Sequence, residues 1–315
     1  MDHPSEKIAF VFPGQGSQSV GMGKELAEAF PIAKETFQAA DERLGFSLSS
    51  LAWCGPENQL DDTINTQPAL LVHSLAALKV LQSNYPAIQP AYVAGHSMGQ
   101  LSALYTSRAL DQDSVLDLTL ARGRLMKQAG SSNPGGMAAI LGLDIPTLEQ
   151  LCAEASLSTE VVQVANDNCP GQVVISGARP ALERAMQLAK EANARRVIAL
   201  AVSIAAHSPL MQPAQAEFNQ AVNTASIKDP AVPVVGNVSA LPMRTASQLR
   251  EDLQAQLTSR VRWTETIEFM VNDGVTTFIE IGSGSVLSGL IKRISPQVRC
   301  INLGSPQDYG NIRTG

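Results

Sequence analysis

Cysteine, histidine, positive charge and long apolar runs are all scarce in this 315-residue chain, and each scarcity excludes something. The four cysteines, Cys54, Cys152, Cys169 and Cys300, lie far apart with no CxxC pair. Disulfide frameworks and zinc sites need closer or more regular spacing, so these side chains are expected to be small buried hydrophobes. Four histidines, at positions 3, 73, 96 and 207, are too few and too scattered for a metal cluster. No metal and no bound cofactor are expected. Lys+Arg number 23 against 29 Asp+Glu, a net charge of −6. That balance argues against binding to nucleic acid or to an anionic membrane. No apolar run approaches the roughly 18 residues of a transmembrane helix. The opening MDHPSEK carries acids where a signal peptide needs bases, so a cytoplasmic location is expected.

What remains is an ordinary globular composition, 44% hydrophobic and 17% charged. Ile8 to Phe12, Tyr92 to Ala94 and Thr277 to Ile281 are short apolar runs that end in glycine turns and read as buried strands. Helical spacing lies between them. Asn65-Thr66-Gln67-Pro68 offers a helix start with an early proline, and Leu71, Leu75 and Leu78 then share one face. Strands alternating with helices predict an α/β fold with a largely parallel sheet and a ligand at the carboxyl ends of its strands. Ser131 to Gly136 reads as a turn-rich break. After it come a strand (Met137 to Leu141), a helix (Thr147 to Ala155) and two strands (Val161 to Ala165 and Val173 to Ser176). A helix (Pro180 to Ala192) and a strand (Arg196 to Val202) complete a β-α-β-β-α-β, ferredoxin-like order. The expected division is a catalytic part over 1–129 and 200–315, with 130–199 inserted as a small subdomain.

Gly95-His96-Ser97-Met98-Gly99 is a G-x-S-x-G string between a strand and a helix, the setting in which a strained turn lifts a serine out of the sheet. A plain capping serine is the blander reading. A nucleophilic serine needs a base. His3 lies in a terminus, His73 inside an apolar helix, and His96 adjoins the serine with its ring expected to point away. His207 follows a strand 110 residues after Ser97, in the order of hydrolase-like sheets, and no carboxylate partner for it stands out. Arg122 sits in a stripe with Val115, Leu118, Leu125, Met126 and Ala129. It either pairs with an internal acid or receives a substrate carboxylate. Phe12 to Gln18 fits neither a Walker loop nor a dinucleotide fingerprint, which weakens a nucleotide-binding module. Gln15 could instead offer an amide to an oxyanion.

The strings FVFPGQGSQ, TQPAL, GHSMG, LARGRLM, ANDNCPGQVVISG, AHSPLM and EIGSGSVLSGLIKR, in that order, resemble malonyl-CoA:acyl-carrier-protein transacylases. The resemblance implies an α/β-hydrolase-like large subdomain with a ferredoxin-like insert. It implies that Ser97 is the nucleophile and His207 its base. Gln15 and the N–H of Met98 would form the oxyanion hole, and Arg122 would bind the malonyl carboxylate. Gln67 and Asn166 would line the pocket. A backbone carbonyl near Arg262 would orient the histidine. Malonyl-CoA and an acyl carrier protein are the implied partners. The alternatives are a serine acyl hydrolase or thioesterase of the same fold, or a transferase that also accepts methylmalonyl. Two positions depart from the family pattern: Gln100, where Glu is common, and Ala206, where malonyl-specific members usually carry Phe. Carrier proteins of this kind are acidic, so Lys292, Arg293, Arg195 and Arg196 are expected to form a local docking patch.

Overall fold

The computed structural model describes residues 6–312. The strands are β1 (Ile8–Phe12), β2 (Tyr92–Gly95), β3 (Gly135–Leu141), β4 (Val162–Cys169), β5 (Gln172–Ala178), β6 (Arg196–Ala199), β7 (Val234–Val235), β8 (Pro242–Met243), β9 (Val261–Arg262), β10 (Thr277–Ile281) and β11 (Arg299–Leu303). They form two sheets. The larger has the order β11-β10-β1-β2-β7-β8, parallel except for the β7/β8 pair at its edge. Helices cover both of its faces, which is why the central strands β1 and β2 read as short apolar runs. Phe10 and Phe12 of β1 enter one core, and Ala9 and Val11 enter the other.

The smaller sheet has the order β6-β3-β5-β4, antiparallel throughout, and β9 adds to β4 in parallel. With helices Ile145–Ala155 and Arg179–Glu191 on one face it is a ferredoxin-like unit with its own core around Ile140, Ile175 and Leu182. The structure is therefore α/β, a parallel-sheet part carrying a small antiparallel one.

Four local expectations need correction. Helix Thr63–Asn84 starts before Asn65, because the Asp62 side chain caps it by accepting from the Ile64 N–H, and Pro68 lies inside it. Ser131 and Ser132 finish the long helix Gln112–Ser132, and Gly135 and Gly136 already belong to β3, so only Asn133 and Pro134 link the two. Strand β6 stops at Ala199, three residues short of Val202. Of the cysteines only Cys152 and Cys169 are buried; Cys54 is exposed and Cys300 half-buried.

Candidate active site

The site forms where β1 and β2 end. A side chain on Gly95 would overlap the Gly99 carbonyl, and one on Gly99 would overlap the Phe12 carbonyl, so only glycine permits this close turn. Ser97 at its apex has φ +51°, a left-handed conformation that costs a non-glycine residue on the order of 1 kcal/mol or more. Surrounding bonds hold it there. The His96 N–H donates to the Phe12 carbonyl (3.0 Å), the Ser97 N–H to Asn237 Oδ1 (2.7 Å), and the Gly99 N–H to the His96 carbonyl (2.9 Å). Helix Gly99–Thr106 begins directly behind, its positive end toward Ser97.

Ser97 Oγ lies 2.7 Å from His207 Nε2. On the far side of the ring, Nδ1 faces the carbonyls of Gln256 (2.9 Å) and Ser259 (3.1 Å). Carbonyls only accept, so Nδ1 carries the proton and Nε2 keeps its lone pair for the serine hydroxyl. Burial, and then the nearby Arg122 charge, push the His207 pKa down to about 3. The imidazole is therefore neutral at ordinary pH, the state a general base requires. His207 is itself left-handed (φ +58°), and Gln163 of β4 fixes its backbone by donating to its carbonyl at 2.8 Å.

The carbonyl expected near Arg262 is thus supplied by Gln256 and Ser259. Gln256 ends helix Ala246–Gln256, and the last carbonyls of a helix lack internal donors, so the imidazole N–H caps that end. The Arg262 side chain is engaged elsewhere, with Glu265 and with the Val238 and Ser239 carbonyls. Gln256, Ser259, Gln163 and Asn237 carry no signal in the sequence, since two act through backbone oxygens and all are distant from the G-x-S-x-G string.

Arg122 is 2% exposed. It donates to Gln67 Oε1 (2.8 Å), to Gln256 Oε1 (2.9 Å from Nη2) and to Ser97 Oγ (3.0 Å). None of these partners is an acid. Desolvation pushes its pKa down to about 9, and a guanidinium keeps its proton at neutral pH. Gln67 also donates to Thr63 Oγ1 (2.9 Å), which donates to Gln15 Oε1 (3.1 Å), so the turn after β1 is tied to the arginine. Among the described residues, the backbone N–H groups of Gln15 and Met98 have no acceptor. Asn166 lies buried in β4 opposite Val261 and is not hydrogen-bonded to this cluster among the described residues.

The other expected residues lie apart from the serine. His96 turns its Nε2 to Asn168 Oδ1 (2.8 Å), and His73 is a core histidine on the Gly304 carbonyl (2.9 Å). His3 lies outside the described residues. Lys292 and Arg293 are exposed at the end of helix Val286–Ile294. Arg293 reaches the Gln172 side chain and the Pro170 carbonyl (3.1 Å). Exposed Arg195 packs beside Gly142, whose N–H donates to the Gly171 carbonyl (3.0 Å), and Arg196 follows in β6. Arg293 and Arg195 therefore lie beside the Pro170-Gly171 turn, whereas Lys292 Nζ donates to the Pro296 (3.3 Å) and Val298 carbonyls beyond its own helix. Among the described residues no three His, Cys, Asp or Glu side chains form a metal-binding group, and no helix is long and apolar enough to cross a membrane.

Residues 9–300 match the acyl transferase domain family. A malonyl CoA-acyl carrier protein transacylase from Bacillus subtilis is 46% identical over 301 residues, covering 96% of this chain and 94% of the relative. An acyl carrier protein S-malonyltransferase of known structure from Vibrio cholerae superposes with a TM-score of 0.94 at 41% identity, over 98% of this chain and all of that one. A malonyl-transacylase solved in complex with a holo type II polyketide acyl carrier protein superposes with a TM-score of 0.93 at 40% identity, over 96% of this chain and 97% of that one.

Proposed function

The chain belongs to the acyl transferase domain family and moves a malonyl group from malonyl-CoA to an acyl carrier protein, and from that premise we propose which residues carry each step. Ser97 Oγ attacks the thioester carbonyl of malonyl-CoA as its proton passes to His207 Nε2. The tetrahedral oxyanion is received by the free amides of Gln15 and Met98. Collapse breaks the C–S bond, and the departing thiolate takes the proton from His207, leaving malonyl-Ser97 and coenzyme A. In the second half the phosphopantetheine thiol of the carrier gives its proton to His207 and attacks the same carbonyl; the Oγ–C bond breaks and Ser97 Oγ takes that proton back from His207. No cofactor enters this route.

Arg122 receives the malonyl carboxylate, with Gln67 beside it and Asn166 at the wall of the pocket. One methylene separates that carboxylate from the attacked carbonyl, in keeping with a guanidinium nitrogen 3.0 Å from Ser97 Oγ. The Arg122 charge opposes protonation of His207. A substrate carboxylate cancels it, so the imidazolium forms most readily when a carboxylated acyl group is bound. Arg122 buried against neutral partners beside a histidine-paired serine is the observation that carries this reading. Methylmalonyl fits the same logic if the small Ala206 leaves room for the branch.

We also propose that 130–199 acts as an inserted subdomain between 1–129 and 200–315, and that its turn side, with Lys292, Arg293, Arg195 and Arg196, docks the acidic carrier. A cytoplasmic location and supply to fatty-acid or polyketide synthesis complete the proposal. The experiment is brief exposure to malonyl-, methylmalonyl- and acetyl-CoA followed by mass spectrometry of the intact and digested protein. A malonyl adduct on the Ser97 peptide is expected, and an adduct elsewhere or none would contradict the assignment.

A further inference from the structure

A guanidinium buried among neutral partners needs its charge balanced somewhere. The hydrogen bonds leading away from Arg122 show where. Gln256 accepts from Arg122 at Oε1, while its Nε2 donates to the Ser97 carbonyl (3.0 Å) and to Gln100 Oε1. Gln100, wholly buried, passes the direction on, its Nε2 donating to Asp252 Oδ2 (2.8 Å). Asp252 is buried and otherwise ringed by donors, the N–H groups of Asn237 (3.2 Å), Val238 (3.1 Å) and Ser239 (3.3 Å).

A guanidinium only donates, an ionised carboxylate only accepts, and an amide does one at each end. The two charges therefore set the direction of both amides between them, Arg122 to Gln256 to Gln100 to Asp252. We propose that Arg122 and Asp252 form a buried ion pair separated by two side-chain amides, with Gln100 and Gln256 as positioning residues that hold the guanidinium at Ser97 for a carboxylated acyl group. This rests on the reading of Arg122 as the carboxylate receiver.

The surroundings leave Asp252 as the balancing acid. Helix Gly99–Thr106 contributes no charged side chain. On Asp252's own helix, Arg250 turns to the Ala225 and Ile227 carbonyls. From β9, Arg262 is paired with Glu265 and touches only the outer carbonyls of the Val238–Ser239 loop, and Glu217 on helix Gln212–Thr224 is exposed. Burial raises the Asp252 pKa and the four donors oppose that rise. The departure at position 100 also acquires a reason. A glutamate there would set two acceptor-only carboxylates face to face, which they could sustain only by sharing a proton.

The test is the ratio of Ser97 loading from malonyl-CoA to loading from acetyl-CoA across pH, with Arg122→Ala run alongside. Gln100→Met breaks the chain without adding charge, and the ratio is expected to fall about tenfold. With Gln100→Glu the ratio is expected to become pH-dependent, falling as pH rises and the shared proton leaves. Adding Asp252→Asn to Gln100→Glu restores one acid and one amide in reversed order, and the ratio should return to within about threefold of wild type with the pH dependence gone. Wild-type ratios and pH profiles in Gln100→Met and Gln100→Glu, with only the melting temperature lowered, would overturn the relay. The Arg122→Ala control separates the two claims: an unchanged ratio there would instead overturn the role of Arg122 itself.

Discussion

The turns after β2 and after β4 both carry a glycine, Gly99 in one and Gly171 in the other, yet the structure uses them oppositely. At Gly95–Gly99 the backbone is pressed against β1, Ser97 is held left-handed, and the groups around it are buried and hydrogen-bonded. At Pro170-Gly171 the turn is open, and exposed Arg293 and Arg195 lie beside it. Chemistry that must hold three groups within a few tenths of an ångström belongs where packing over-determines the backbone. Recognition of a charged partner tolerates loose geometry and belongs where side chains remain in solvent.

If that contrast holds, damage at the first turn should be far larger than at the second. Ser97→Ala is expected to abolish acyl-enzyme formation, and His207→Ala to slow loading by about 10²–10⁴-fold while substrate still binds. Rapid-quench loading assays read both, and near-normal turnover in either variant would contradict the assignment. Arg122→Ala should follow, costing malonyl loading about ten- to a hundredfold relative to acetyl, because only malonyl offers a carboxylate to the lost charge. Equal losses for both acyl groups would make Arg122 structural.

A third effect is on stability. His73, His96 and His207 are all buried, and burial holds their pKa values below that of an exposed histidine near 6.5. Below that pH the unfolded chain binds protons that the folded chain refuses, so stability should fall as pH drops from about 6.5 toward the His207 value of about 3. Urea midpoints measured between pH 7 and pH 5 would show it, and midpoints that rise on acidification would contradict it. The smallest effect belongs to the second turn. Reversing the charges of Lys292 and Arg293 should slow transfer to the carrier a few-fold at low salt, less at high salt, and leave loading from malonyl-CoA intact. A loss in both half-reactions would place the docking surface elsewhere.

Legibility in the sequence followed the same divide. Strands β1 and β10 match their expected bounds to the residue, because burial on both faces makes them mostly apolar, β10 carrying the buried Glu280, and each runs into a glycine-containing turn. The helix start near Pro68 misled, since proline suits the first turn of a helix and this one is tolerated deeper in. Ser97 and His207 stood out because a strained serine and an isolated histidine leave local marks. Gln256 left none, as a helix-end carbonyl has no side-chain signature and its partner His207 lies 49 residues away. Nor did the Gln100–Asp252 contact, which joins residues 152 positions apart.

A two-step transfer through a serine ester that water does not discharge is read from the release of coenzyme A after mixing with malonyl-CoA alone. A burst of about one equivalent per chain is expected, with no steady production of malonate and with discharge when holo carrier protein is added. Continuous release of coenzyme A with free malonate would mean that water is the acceptor and would contradict it.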